Sequence, residues 1–308
     1  MSDRQGVLLI GGNGFLGLAL ARRLAVAGRE VHVLSRHLEP GVREGIRFHR
    51  GSQDDVVAVS PFLRTCSTIV HLASTTTPGS SARNPVVDSQ ENLLPAARLL
   101  ETMAHMPPDR LIFVSSGGAI YGDPDELPVS ETHQPNPLSF HAAGKIALEA
   151  LFSAFAHSHS IPLAIVRPSN IYGPGQALRG GFGVVRTLLD RALKEEPFEI
   201  WGAGTVVRDY LFIDDAVDAG MKLLGAPSAT GTFNVGSGHG TSIAELVELV
   251  IATTGRDLRI VERPSRCTDV KAVVLDCARL TTATGWTAKT GLERGLRQTW
   301  QWVRESDK

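Results

Sequence analysis

Two groups of residues in this chain have the types and the spacing that chemistry needs. The first is Gly12-x-Gly14-x-x-Gly17, with Gly11 directly ahead of it. Glycines so spaced allow a tight turn, let a backbone approach a pyrophosphate, and let a helix pack close on a strand. If an apolar strand precedes them and a helix follows, the amides and positive dipole end of that helix face phosphate oxygens. The second group is His141 and Lys145, one helical turn apart and so on one face of a helix. An imidazole has an unperturbed pKa of about 6.5 and is already a base near neutral pH. A neighbouring ammonium disfavours the imidazolium and keeps the ring neutral. Between these groups lies Ser115-Ser116-Gly117-Gly118, where two hydroxyls stand beside glycines that let a ligand approach the backbone.

The elements that must position these residues alternate in type. Val7-Leu8-Leu9-Ile10, Val31-His32-Val33-Leu34, Ile69-Val70-His71-Leu72, Leu111-Ile112-Phe113-Val114-Ser115 and Leu163-Ala164-Ile165-Val166 are short, β-rich apolar runs. Helical stretches separate them, the first running from Phe15 to Ala27 and closed by Gly28. That alternation predicts an α/β fold with a Rossmann-type doubly wound parallel sheet, whose ligands lie beyond the carboxyl ends of the strands. Residues 1–170 form the predicted dinucleotide-binding domain, with a later segment at about 205–240 crossing back to it. Residues 171–308 are mainly a smaller C-terminal substrate-binding lobe, which opens on a glycine-rich loop from Tyr172 to Gly183. Helices are expected near 184–194, 243–254 and 292–303, and strands near Glu199-Ile200 and Thr232 to Val235.

The preference between NAD and NADP is set at the end of the second strand, where an acidic residue would accept bonds from ribose hydroxyls. Ser35 holds that place and Arg36 follows. A guanidinium pairs with a 2′-phosphate, so NAD and NADP both stay open. Composition removes other classes. The chain has 308 residues, 43% hydrophobic and 20% charged, with 31 Lys+Arg against 32 Asp+Glu and no long basic run, which implies no nucleic-acid partner. No apolar run approaches the length of a membrane span. Cys66, Cys267 and Cys277 have no CxxC spacing, so neither a disulfide framework nor a metal site is favoured, and a reduced cytoplasm is the expected compartment.

Taken with the glycine motif, Pro137-Leu138-Ser139-Phe140-His141-Ala142-Ala143-Gly144-Lys145 resembles the active-site segment of the extended short-chain dehydrogenases, the NAD-dependent epimerases and dehydratases that act on nucleotide sugars. In that family a tyrosine stands where this chain has His141. The resemblance extends through Arg167-Pro168-Ser169-Asn170, Gly202-Ala203-Gly204 with Arg208-Asp209, and Arg266-Cys267-Thr268-Asp269, and covers nearly the whole chain. It implies that Gly11, Gly14, Phe15, Leu16, Gly17, Ser35, Arg36, Leu72, Ala73 and Lys145 line the dinucleotide. It assigns the reacting hydroxyl to Ser116 first and Ser115 second, with His141 and Lys145 completing the catalytic set. On the substrate side it implies Asn170, Arg208 and Arg266 on the diphosphate or sugar and Asp269 on the nucleotide ribose. The activity implied is epimerisation of a nucleotide-diphosphate sugar at C4 through a 4-keto intermediate. A 4-ketoreductase or dehydrogenase, and a catalytically silent binding homologue, are the alternatives that His141 keeps open. A dehydratase is disfavoured because Gly118-Ala119 stands where that group has Asp-Glu. The family also implies a homodimer built from helices at Leu93 to Met103 and Ile146 to Phe155, the first kinked or late-starting because of Pro95.

Overall fold

A computed structural model describes residues 4–76, 84–178, 183–264 and 270–306. In chain order its strands are β1 (Gly6–Ile10), β2 (Val31–Ser35), β3 (Gly41–Arg43), β4 (Ile46–Arg50), β5 (Cys66–His71), β6 (Arg110–Val114) and β7 (Leu163–Pro168). The later strands are β8 (Asn170–Tyr172), β9 (Phe198–Trp201), β10 (Val207–Phe212), β11 (Gly231–Val235), β12 (Gly240–Ser242), β13 (Ile260–Arg263) and β14 (Ala272–Val273). The main sheet has eight strands in the order β11-β7-β6-β5-β1-β2-β4-β3. All neighbours are parallel except β3, which returns antiparallel along β4 and closes the edge.

The apolar runs of the sequence become strands because helices cover both faces. Every residue of β1 is buried, as a parallel strand with helices on either side requires. One face packs the helices Phe15–Val26 and Ile213–Gly225 against Val7, Leu9, Val31 and Val33. The other packs Val56–Thr65, Leu94–Ala104 and Phe140–Ser158 against Leu8, Ile10, Ile69, Leu111 and Phe113. The chain order reverses between β1 and β5, which opens a crevice at their carboxyl ends. A smaller sheet pairs β10 with β8, β12 and β14, and β9 pairs with β13.

Two local features carry the site. The helix Phe140–Ser158 begins at Ser139, whose side chain accepts the amide of Ala142, and Glu149 anchors its middle. Arg167 of β7 donates to that carboxylate through Nε (3.0 Å) and Nη2 (2.6 Å), and through Nη1 to the Tyr121 hydroxyl (2.9 Å), all of them buried. The second feature is the segment Pro85–Asp88, which runs through a π turn at Ser89–Leu93 into the helix Leu94–Ala104. Pro95 has no amide to donate, so the wide turn falls directly ahead of it, which is the irregularity its sequence position implies. Among the described residues no helix is long and apolar enough to cross a membrane, and no group of His, Cys, Asp and Glu is arranged to hold a metal ion. Cys66 and Cys277 are free thiols, and burial raises both, Cys66 to about 11 and Cys277 to about 12.

Candidate active site

The glycine turn sits at the crevice between β1 and β5, and its glycines answer to different constraints. Gly11 has φ of +75°, and a Cβ there would come within 2.6 Å of the Ala73 backbone. Gly17 lets the first helix rest on the strand end, since a Cβ would lie 2.6 Å from the Gly12 Cα. Gly14 is different. Its φ of −78° suits any residue, and the nearest atom to a Cβ there is the Gly11 carbonyl at 3.6 Å. Nothing in the chain itself demands glycine at position 14, which is what a cradle kept clear for a pyrophosphate would look like. Phe15 and Leu16 open the helix that follows, half-buried, and Phe15 faces Gly175 in the loop after β8.

The neighbouring strand ends complete the crevice. Leu72 donates to the Ile10 carbonyl (2.8 Å), which fixes Leu72 and Ala73 beside the glycine turn. Ser35 ends β2, and its carbonyl accepts the Gly51 amide. Arg36 is exposed and its guanidinium is paired with Glu91 at 3.0 Å. His71 is a packed histidine. It lies against Phe113 and Phe152 and bonds Gln53 through Nε2 (2.6 Å), and burial lowers its pKa to about 3.

The catalytic candidates meet where β6 ends. Lys145 is buried and donates from Nζ to the Val114 carbonyl (3.0 Å), the residue before Ser115. Burial pulls its pKa down to about 8, against the opposing pull of Asp88 and Glu149. The Ser115 hydroxyl is buried without a hydrogen-bond partner among the described residues, so it has bonding capacity to offer a ligand. Ser116 is half-buried and precedes the short helix Gly117–Ile120 without capping it. Gly118 faces the Asn170 amide, which in turn donates to the Asp209 carbonyl (3.3 Å). The strand ends therefore bring Lys145, Ser115, Ser116, Gly118 and Asn170 to one side of the sheet.

His141 lies one turn before Lys145 and is 9% exposed. Burial first, and then Lys145, push its pKa down to about 4, with Asp88 acting in the opposite sense. The imidazole is thus neutral at pH 7, with burial a larger cause than the lysine charge that the sequence brought to mind. Its Nδ1 lies 3.2 Å from the Thr76 hydroxyl. Thr76, Asp88 and Asn92, all buried around this ring, were not singled out from sequence. They lie 65, 53 and 49 positions away in the chain, and no spacing rule connects them to His141.

On the substrate side Arg208 is half-buried on β10, and its Nη1 donates to the Val207 carbonyl (2.9 Å). Arg266 and Asp269 lie outside the described residues. Tyr121 and Tyr172, phenols near these segments, are committed to the core. Tyr121 donates to Asn234 (2.7 Å), and Tyr172 donates to the Leu292 carbonyl (3.2 Å), with burial raising the pKa of each.

Comparison with known proteins bears on the family and the fold. The family model described as the NAD dependent epimerase/dehydratase family matches residues 7–236. A UDP-glucose 4-epimerase of Mycolicibacterium smegmatis is 30% identical, over 96% of this chain and 98% of its own. A crystal structure of Thermotoga maritima UDP-glucose 4-epimerase with UDP-glucose superposes with a TM-score of 0.91 at 31% identity, covering 98% of this chain and 100% of that one. The Thermus thermophilus UDP-glucose 4-epimerase in complex with NAD superposes with a TM-score of 0.89 at 32% identity, covering 97% and 98%.

The contrast among the glycines gives a test. Gly14→Ser should fold with unchanged or slightly raised thermal stability, because serine is a good helix N-cap and its Cβ meets no atom of the chain closely. Calorimetric titration should show its affinity for NAD at least about 10-fold weaker, the cost expected of displacing a pyrophosphate contact worth about 1.4 kcal/mol. Unchanged NAD affinity would contradict the assignment of this turn.

Proposed function

The chain belongs to the NAD dependent epimerase/dehydratase family, and from that premise we propose that it is a nucleotide-sugar 4-epimerase acting on a UDP-hexose. The observation that carries the reading is the Lys145–Val114 bond at the end of β6. It fastens the helix bearing His141 to the strand end bearing Ser115 and Ser116, beside the crevice of the glycine turn. The dinucleotide would rest on residues 11–17, Leu72 and Ala73, and when bound it supplies an acceptor that takes a hydride and returns it. NAD is the cofactor favoured by the family. The exposed Arg36–Glu91 pair is the site at which a 2′-phosphate would have to compete for the guanidinium.

The residues of the chain then have these tasks. Ser115 and Ser116 hold the C4 hydroxyl oxygen of the sugar, the orphaned Ser115 hydroxyl acquiring its missing partner there. His141, neutral at pH 7, takes the hydroxyl proton as the C4–H bond breaks, giving the 4-keto sugar and an imidazolium. The same ring returns that proton to oxygen after the sugar has turned its other face. Lys145 carries positive charge beside the crevice, which shortens the lifetime of the imidazolium and favours proton return. Arg208 and Arg266 bind the nucleotide diphosphate, for which planar guanidinium groups are suited, with Asn170 on the diphosphate or sugar and Asp269 on the nucleotide ribose.

The proposed assembly is a homodimer through the helices Leu94–Ala104 and Phe140–Ser158. Ala96, Leu99, Met103, Leu148 and Phe152 are consumed by the core of one chain, which leaves Leu94, Ala143, Ala150 and Ala154 exposed as the face available to a second copy. Light scattering at micromolar concentration should give twice the mass of one chain, and a single-chain mass would overturn the dimer.

Activity decides the enzymatic reading. With a UDP-hexose and NAD the protein should form the C4 epimer, and His141→Ala should lower kcat by about 10²–10⁴-fold, the usual worth of general acid–base catalysis. Because a protonated imidazole accepts no proton, activity should hold through neutral pH and fall as pH drops through about 4. The fold weakens over the same range. His71 and His141 have folded pKa values below the ordinary 6.5, so the unfolded chain binds their protons more readily and stability declines as pH falls below 6.5. Folding must therefore be followed alongside activity. A His141→Ala rate equal to the parent's would remove His141 as the base. Turnover by His141→Tyr alone would make the natural chain a binding protein on an enzyme's frame.

A further inference from the structure

The buried polar cluster around His141 has a direction, and it can be followed atom by atom. The Thr75 amide (2.9 Å) and hydroxyl (3.1 Å) both donate to Asn92 Oδ1, which fixes that side-chain amide with its nitrogen toward Thr76. Asn92 Nδ2 then donates to Thr76 Oγ1 (3.0 Å) and to Asp88 Oδ1 (3.1 Å). The Thr76 hydroxyl donates its one proton to Asp88 Oδ1 in a short contact. With that proton spent, Thr76 Oγ1 has only a lone pair to offer His141 Nδ1 at 3.2 Å. The imidazole must be the donor there, so its proton is on Nδ1 and Nε2 is the basic nitrogen.

We infer that Asp88, acting through Thr76 and oriented by Asn92, holds His141 in the Nδ1–H tautomer and so makes Nε2 the nitrogen that exchanges protons with substrate. This deepens the epimerase reading and its catalytic use rests on it. Asp88, Thr76 and Asn92 are positioning residues, since each acts through His141. The arrangement is tightly built. Asp88 is 4% exposed, Thr76 and Asn92 are 6% exposed, and a Cβ on Gly144 would overlap the Asp88 carboxylate. Glycine at 144 thus admits the carboxylate against the helix between His141 and Lys145. Among the described residues, the charged groups facing the ring are Lys145 on its own helix and Asp88 from the opposing segment, with Glu149 one turn beyond Lys145. A buried carboxylate sharing a helix face with an ammonium also steadies the imidazolium that forms when Nε2 takes a proton.

The tautomer is measurable without turnover. The full chain, with ring ¹⁵N-labelled histidine, is studied by long-range ¹H–¹⁵N NMR at pH 7, and the His141 signals are assigned by their loss in His141→Gln. Nδ1 should have the shift of a protonated ring nitrogen and Nε2 that of an unprotonated one. Thr76→Val, nearly the same shape, should release this preference and lower kcat about 10²-fold with KM little changed. Thr76→Ser should restore both. Asp88→Asn should reverse the chain of donors, because its amide can donate to Thr76 and free the hydroxyl proton for His141 Nδ1, moving the ring proton to Nε2. A parent ring protonated on Nε2, or an Nδ1–H signal unmoved in Thr76→Val, would overturn the inference. The Nδ1–H signal in a protein that forms no epimer would overturn the epimerase reading while upholding the tautomer assignment.

Discussion

The site depends on how one helix is seated. His141, Lys145 and Glu149 follow one another at single-turn intervals along Phe140–Ser158, so one stripe carries a base, a cation and an anchor. The anchor is the two-pronged bond from Arg167 to Glu149, which sets the height and rotation of the helix against β7. Removing one member of such a buried pair leaves an unpaired charge and typically costs about 3–5 kcal/mol. Its value here is geometric. With Glu149 held, Lys145 reaches the end of β6 and His141 reaches the Thr76–Asp88 cluster, and neither could do so if the helix turned by one residue.

The same seating accounts for the balance of charge. Lys145 and His141 are both buried, and burial alone lowers the pKa of each. Asp88 and Glu149 keep the lysine largely cationic at pH 7, while the imidazole, whose ordinary pKa already lies below 7, is pushed down to about 4 and stays neutral. A neutral imidazole beside a cation is an arrangement fitted to removing and returning a single proton. The hydroxyl of Ser115, buried and unpartnered among the described residues, lies one residue beyond the carbonyl that Lys145 holds. Polar groups so placed gain most from a ligand that satisfies them.

Much of this was legible in the sequence, for definite physical reasons. The apolar runs at Val7 to Ile10 and Leu111 to Val114 read as buried strands of a parallel sheet, and they are. The glycine spacing at 11–17 named its own turn, and the single-turn interval between His141 and Lys145 placed both on one face. The helices 184–194 and 243–254 were visible from periodicity, the latter closed by Gly255 at φ of +64°. The hairpin of β3 and β4 was not visible, because β3 is three exposed residues with no apolar alternation. Nor was the polar cluster around His141. Thr76, Asp88 and Asn92 are ordinary residues in their local contexts, and only the fold brings them together, so no local pattern marks them. Tyr121 and Tyr172 illustrate the converse, since both stand beside motif segments in the sequence and are hydrogen-bonded parts of the core.

The central claim is that the imidazole on this helix stands where a base must stand. The most direct test is a crystal structure of the protein with NAD and a UDP-hexose bound. The account predicts His141 Nε2 within about 2.6–3.2 Å of the C4 hydroxyl oxygen, the reach of direct proton transfer, with Nδ1 still on Thr76. A sugar whose C4 hydroxyl is held by Ser115 or Ser116 with His141 out of reach, directly or through one water, would contradict it.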